Sequence, residues 1–228
     1  MKKLIIIFLI IFIGLSISCT RNIDTTETIV ITETSIITQT IEDTQRIDEL
    51  EAELEKYQDL IGNLNELLKN VYKGNAENSN WKADEFTGFS IKYKDKFYLI
   101  TAGHCVHYNY AGTDTGVFTN FSFKANFSDK TIYPKLLTYE NDFTNNRDYA
   151  ILYSDKIKDG LDIDLIQTSP EYILGNENNN VFKEFTLYNL LDGESGSPVI
   201  DIDGQVISIA TGNFVDIDLV LEAIDNLK

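Results

Sequence analysis

Two histidines, two cysteines, three prolines and nineteen Lys plus Arg are all that 228 residues contain of these types. The shortage of cations, set against 36 Asp plus Glu for a formal net charge of -17, excludes phosphate-backbone binding, which needs clustered Lys and Arg. The acid excess instead describes a solvated surface that keeps the chain soluble and steers cationic partners towards it. With only Cys19 and Cys105, the chain is not a disulfide scaffold. A membrane-spanning run is missing too. "LIIIFLIIFIGLSI", behind "MKK", has the length of a signal-peptide h-region and is short of the roughly 20 residues that cross a bilayer. What is present is ordinary for a globular protein: 43% hydrophobic residues with 13 Phe and 12 Tyr supply a sizeable core.

The apolar run ends at "SISC", where small Ser16 and Ser18 precede Cys19. This resembles a bacterial lipobox, although Ser16 stands where that signal usually carries Leu. The resemblance implies a signal peptide over residues 1–18, lipidation of Cys19, and an exported, membrane-anchored lipoprotein facing the cell exterior or periplasm.

Residues 19–44 read as a Thr-rich tether in which β-branched Thr and Ile favour extended backbone. Then Ile47, Leu50, Leu54, Tyr57, Ile61, Leu64, Leu68 and Val71 alternate at spacings of three and four. That a/d seam predicts a coiled coil over residues 45–73, starting at Asp43 or Thr44, and a homo-oligomer through it. Leu60 and Leu67 add apolar surface beside the seam. Gly74 is read as the helix C-terminal cap, residues 74–80 as a linker, and residues 81–228 as the folded domain.

From Trp81 the period falls to two. "GFSIKYKDKFYLIT" predicts a hairpin around "KDK", and "IDIDGQVIS" a hairpin with Asp203-Gly204 at its tip. Only "DIDLVLEAIDNLK" has helical spacing. Many short strands predict a mainly β sandwich or barrel.

Three local motifs follow in order: "TAGHC", "NNRDYAIL" and "DGESGSP". A Ser hydroxyl is a weak nucleophile and needs a base, and His is the usual base near neutral pH. A buried carboxylate must hold the His tautomer, and backbone N–H groups must meet the developing oxyanion. His104, Asp148 and Ser195 supply the side chains, and Gly193 and Ser195 the N–H groups. The constellation calls for no cofactor. "HCVH" lacks the further Cys or His that would complete a metal site, so no metal is expected.

These motifs resemble those of the chymotrypsin/trypsin-like serine peptidases, most closely the short bacterial members related to glutamyl endopeptidases. The resemblance covers residues 85–228. It implies a double β-barrel with a C-terminal helix and an active site between the barrels. Cys105 has no earlier Cys to bridge, since position 89 is Phe, so it is expected to be a buried free thiol directed away from His104. Glu194 replaces the usual Asp or Asn, and burying it demands partners. Zymogen activation of the animal kind inserts a new N-terminus near that acid, and the bacterial likeness implies maturation without such a cut. By the same resemblance Asn189, Asp192, Thr211, Gly212 and Asn213 bind the substrate side chain, with a medium-sized neutral or apolar residue preferred. Ala210 stands where glutamyl-specific relatives carry His. The expected function is an exported, tethered serine endopeptidase acting on protein or peptide. The alternative is a non-catalytic binding lipoprotein on the same fold.

Overall fold

The structure, a computed structural model, describes residues 26–164, 169, 172–176, 182–184, 190–212 and 214–227. The expected signal peptide and Cys19 lie outside the described residues. The chain divides into two units, Met1–Glu53 and Leu54–Lys228. Among the described residues no helix is long and apolar enough to cross a membrane.

Helix α1 runs Thr26–Leu68, so the segment expected to be an extended tether is helical over most of its length. Its Thr and Ile lower helix propensity only slightly. No Pro or Gly interrupts residues 26–61, and each added residue continues a ladder already nucleated by the Glu- and Leu-rich stretch after it. The expected start at Asp43 or Thr44 is therefore passed through.

The end of α1 corrects the heptad reading. Leu60 and Leu68 are buried in the domain core, and Leu64 and Leu67 pack against it. These positions are spaced i, i+4, i+7, i+8, one face of a helix docked on a globular body. Each buried leucine contributes about 2 kcal/mol. Ile47, Leu50, Leu54 and Ile61 stay exposed. The seam also stops at Leu68, because Val71 begins a strand.

That strand, β1 (Val71–Glu77), replaces the expected linker. Gly74 is not a helix cap. A Cβ there would stand 2.4 Å from the Phe86 ring, so the glycine serves close packing inside the sheet. The remaining strands are β2 (Lys82–Tyr93), β3 (Lys96–Thr101), β4 (Asn109–Tyr110), β5 (Thr113–Asp114), β6 (Asn120–Ala125), β7 (Thr131–Ile132), β8 (Lys135–Asp142) and β9 (Arg147–Tyr153). They are followed by β10 (Tyr172–Leu174), β11 (Phe182–Glu184), β12 (Pro198–Ile200), β13 (Val206–Ala210), β14 (Phe214–Asp216) and helix α2 (Ile217–Asp225).

One sheet has seven strands in the order β7-β6-β1-β2-β3-β9-β8, a second has five in the order β11-β10-β12-β13-β14, and β4-β5 form a small ribbon. Both expected hairpins form. Tyr93 pairs with Lys96 across Lys94 and Asp95, whose φ values of 47° and 62° fit the primed turn that matches strand twist. In the other hairpin the Asp201 carboxylate accepts from the N–H groups of Asp203 and Gln205.

The period of two sorts side chains into separate cores. On β9, Ala150 and Leu152 join Leu99, Cys105 and Phe123 inside the seven-stranded sheet. Tyr149 and Ile151 point the other way, into a cluster with Ile200, Val206, Val220, Leu221 and the α1 leucines. Ile173, Val199, Ile207 and Ala210 form a third cluster in the second sheet. "YAIL" reads as an unbroken apolar run because both of its faces are buried.

Candidate active site

"TAGHC" leaves β3 and folds into a single 3-10 turn, Gly103–Cys105. Gly103 is required there, since a Cβ would stand 1.8 Å from the Glu140 carbonyl oxygen on β8. This close approach sets the turn against β8 and β9. Asp148, on β9, is 1% exposed and meets the turn with both oxygens. Oδ1 accepts from the His104 backbone N–H at 2.7 Å, and Oδ2 lies 2.6 Å from His104 Nδ1. One carboxylate thus holds the residue at its backbone and its ring. The Phe143 ring, 5.4 Å away between centroids, backs the imidazole.

Burial opposes a charge on His104, but the neighbouring Cys105 sulfur and the Asp148 carboxylate outweigh it and raise its pKa above the ordinary value. Cys105 is buried and free, as expected, with its Sγ 4.0 Å from Ser195 O. The second histidine turns elsewhere, with His107 Nδ1 3.1 Å from the Tyr139 hydroxyl and Nε2 2.9 Å from Asp114 Oδ1.

Ser195 sits on the loop between β11 and β12. Thr87 of β2 grips this loop twice, its Oγ1 donating to Gly193 O at 2.8 Å and its N–H to Ser195 O at 3.0 Å. The Thr87 hydroxyl accepts in turn from Asn176 Nδ2 at 2.8 Å. On the other side the Gly196 N–H donates to Ala210 O of β13 at 2.7 Å. Gly196 has φ +88°, and a Cβ would lie 2.2 Å from Thr87 O, so no other residue fits between the two sheets. The N–H groups of Leu191, Glu194, Gly196 and Ser197 are all bonded within the fold. Those of Gly193 and Ser195 have no acceptor among the described residues.

His104, Cys105, Gly193 and Ser195 line one cleft of about 360 Å³, walled by Trp81, Phe86, Tyr108 and Phe118. Asp148 lies beneath it through His104. Of the expected substrate-binding residues, Asp192 and Gly212 are exposed and Thr211 is buried, and none of the three lines this cleft. Asn189 and Asn213 lie outside the described residues.

The sequence reading missed Thr87, Asn176 and Lys183. Nothing local marks the first two. Lys183 answers a demand that was visible, because Glu194 is fully buried and accepts from Lys183 Nζ at 2.6 Å. The need for a partner was readable from the acid, but not which residue supplies it.

No protein-family model matches the chain, and no curated protein matches it. Solved structures do resemble it. The active form of the Rv3671c protease from M. tuberculosis is 16% identical, with a TM-score of 0.52 over 72% of this chain and 83% of that one. The inactive form of a serine-to-alanine mutant of Rv3671c is 18% identical, with a TM-score of 0.50 over 72% of this chain and 90% of that one. These likenesses establish the fold: a mainly β, chymotrypsin-like pair of curled sheets with a C-terminal helix.

Proposed function

We propose that the chain is a serine endopeptidase working through His104, Asp148 and Ser195. The observation that carries this reading is the 2.6 Å contact between His104 Nδ1 and Asp148 Oδ2 on the wall of the cleft that Ser195 also lines. With Nδ1 engaged by Asp148, Nε2 is the ring atom free to act as base. It takes the Ser195 hydroxyl proton as Oγ bonds to the substrate carbonyl carbon. The carbonyl oxygen becomes an oxyanion, met by the N–H groups of Gly193 and Ser195. The C–N bond then breaks, His104 returns the proton to the leaving amine, and an acyl-enzyme remains. Water repeats the sequence and frees Ser195.

The aromatic part of the cleft wall suits a peptide with neutral or apolar side chains, and Lys82, Asp84 and Glu85 line the same cleft. The "SISC" signal supports export and a lipid tether on Cys19, and the exposed Ile47, Leu50, Leu54 and Ile61 support self-association of α1.

The full chain, purified in detergent, is treated with a fluorophosphonate beside its Ser195→Ala variant. Covalent mass on Ser195 in the unaltered chain alone is expected. A folded chain that takes up no probe would overturn the reading and favour a binding module.

A further inference from the structure

Val106 and Phe118 are buried, and the Phe118 N–H donates to Val106 O at 2.9 Å. Between them the chain makes an excursion that carries the β4-β5 ribbon. Residues 107–117 add nothing to a core: His107, Thr113 and Thr115 are half-buried and the others are exposed. A two-stranded ribbon with no buried face does not hold its own position in water. Yet Tyr108, Thr113 and Thr115 line the cleft together with His104 and Ser195. Contacts from outside the ribbon must fix it there.

Three alternate residues at the end of β8 and just beyond it supply them. Tyr139 meets the His107 ring edge-on, with its hydroxyl 3.1 Å from Nδ1. Asn141 Nδ2 donates to His107 O. The Phe143 ring, which backs His104, lies 6.3 Å from the ring of Tyr110. In the returning strand Asp114 Oδ1 accepts from the Gly116 N–H at 2.8 Å and lies 2.9 Å from His107 Nε2. The Gly116 N–H and then His107 hold the Asp114 carboxyl below its ordinary value, so near neutral pH it is ionised and only accepts. Nε2 therefore carries a hydrogen, and a neutral ring takes the Tyr139 hydroxyl hydrogen at Nδ1. His107 lies at the outgoing base of the ribbon, so this one imidazole joins both of its strands to β8. A further tie, from Asn78 Nδ2 to Thr115 O at 2.9 Å, reaches the returning side alone.

On the peptidase reading, we propose that His107 is a positioning residue for substrate: by joining Asp114 to Tyr139 it holds the β4-β5 ribbon as a fixed wall against which an extended peptide lies. Both ring nitrogens are engaged away from His104, Asp148 and Ser195, so the residue acts on the hold of long substrates and not on the reactivity of the serine. A loose wall would have to be ordered at each binding event, and that cost falls on affinity.

The test compares His107→Leu, which loses both side-chain bonds, with His107→Gln, which keeps a donor for Asp114 and an acceptor for Tyr139. In the full chain, His107→Leu should speed amide hydrogen exchange over residues 108–117 by about tenfold or more, while β2 and β3 keep their protection. Cleavage of a proteome-derived peptide library, followed by mass spectrometry, should slow by about tenfold. Labelling of Ser195 by diisopropyl fluorophosphate, too small to reach along the ribbon, should stay within about twofold. His107→Gln should return exchange and cleavage to within about threefold of the unaltered chain. Unchanged exchange over 108–117 in His107→Leu would overturn the proposal. So would equal losses in cleavage and small-probe labelling, a Gln variant no better than the Leu variant, or loss of protection throughout the domain. If the unaltered chain neither cleaves nor labels, the peptidase reading falls, and exchange in the two variants still decides whether His107 holds the ribbon.

Discussion

Thr87 and Gly193, 106 residues apart, are joined by a hydrogen bond of 2.8 Å from the Thr87 hydroxyl to the Gly193 carbonyl. With the Thr87 N–H on Ser195 O, one residue of the first sheet shapes a loop of the second. Thr87→Val keeps the side-chain volume and removes the hydroxyl. Gly193 O and Asn176 Nδ2 then lose a partner, at a cost of about 1–3 kcal/mol. Urea unfolding should register that loss. Fluorophosphonate labelling should fall further than the stability change alone accounts for, since the carbonyl belongs to the loop that carries Ser195, the proposed nucleophile. Labelling at the unaltered rate would show that the loop is held without Thr87.

Asp148→Asn tests the pair beneath the cleft. An amide can occupy the same space but does not stabilise an imidazolium, and it can favour the wrong ring tautomer. Peptide hydrolysis should drop by about four orders of magnitude. Since Oδ1 also holds the His104 N–H, some stability goes with it. Thermal unfolding run beside the rate measurement separates the two effects.

The raised pKa of His104 gives a pH dependence with a defined sign. The base must be neutral to accept a proton, so labelling should climb with pH and reach half its maximum above 6.5, the ordinary histidine value. For stability, a group that is more basic when folded stabilises fully below its unfolded pKa, and the contribution is lost as pH rises through the folded value. His104→Gln should therefore destabilise the chain more at pH 6 than at alkaline pH. Cys105→Ala removes one cause of the shift and should move the labelling midpoint down. A midpoint unchanged in that variant would remove the sulfur from the account.

The two apolar faces of α1 make opposite predictions. Leu68→Ala empties a core position 3% exposed and should cost about 2–5 kcal/mol in urea unfolding. Ile61→Ala, at a position 63% exposed, should change stability by less than about 0.5 kcal/mol. If exposed seam positions bind a second copy, sedimentation of the Ile61 variant should show weaker association. A chain begun at Trp81 would lose β1, which lies between β2 and β6, and should fail to fold.

The local backbone of the three motifs was legible from the sequence. Each of "TAGHC", "RDYAIL" and "GESGSP" carries its own backbone requirement: a glycine where a neighbouring carbonyl approaches, a strand buried on both faces, a turn with positive φ. Such requirements act over a few residues and leave a mark there. The two hairpins were readable for the same reason.

The apolar spacing of α1 is real, but its last two turns face the chain's own domain and the seam is not continuous. Leu60, Leu64, Leu67 and Leu68 have the same hydrophobicity whether they face another copy or their own domain. Spacing places them near one another on the helix but does not name the partner. Gly74 likewise looks alike as a cap and as a packing residue until Phe86 and Phe123 close on it.

By itself, then, the sequence determined which side chains are candidates for acyl transfer, where the two hairpins turn, and that Glu194 would need company. Only the tertiary structure decided that Asp148 holds His104 at two atoms, that Thr87 sets the Gly193–Ser195 loop, that Lys183 is the cation for Glu194, and that the domain begins with the end of α1. The reason is physical. Backbone conformation and periodicity are governed by neighbours along the chain. Burial, charge pairing and the second partner of a hydrogen bond depend on contacts across tens to more than a hundred residues, which exist only once both sheets have closed around their cores.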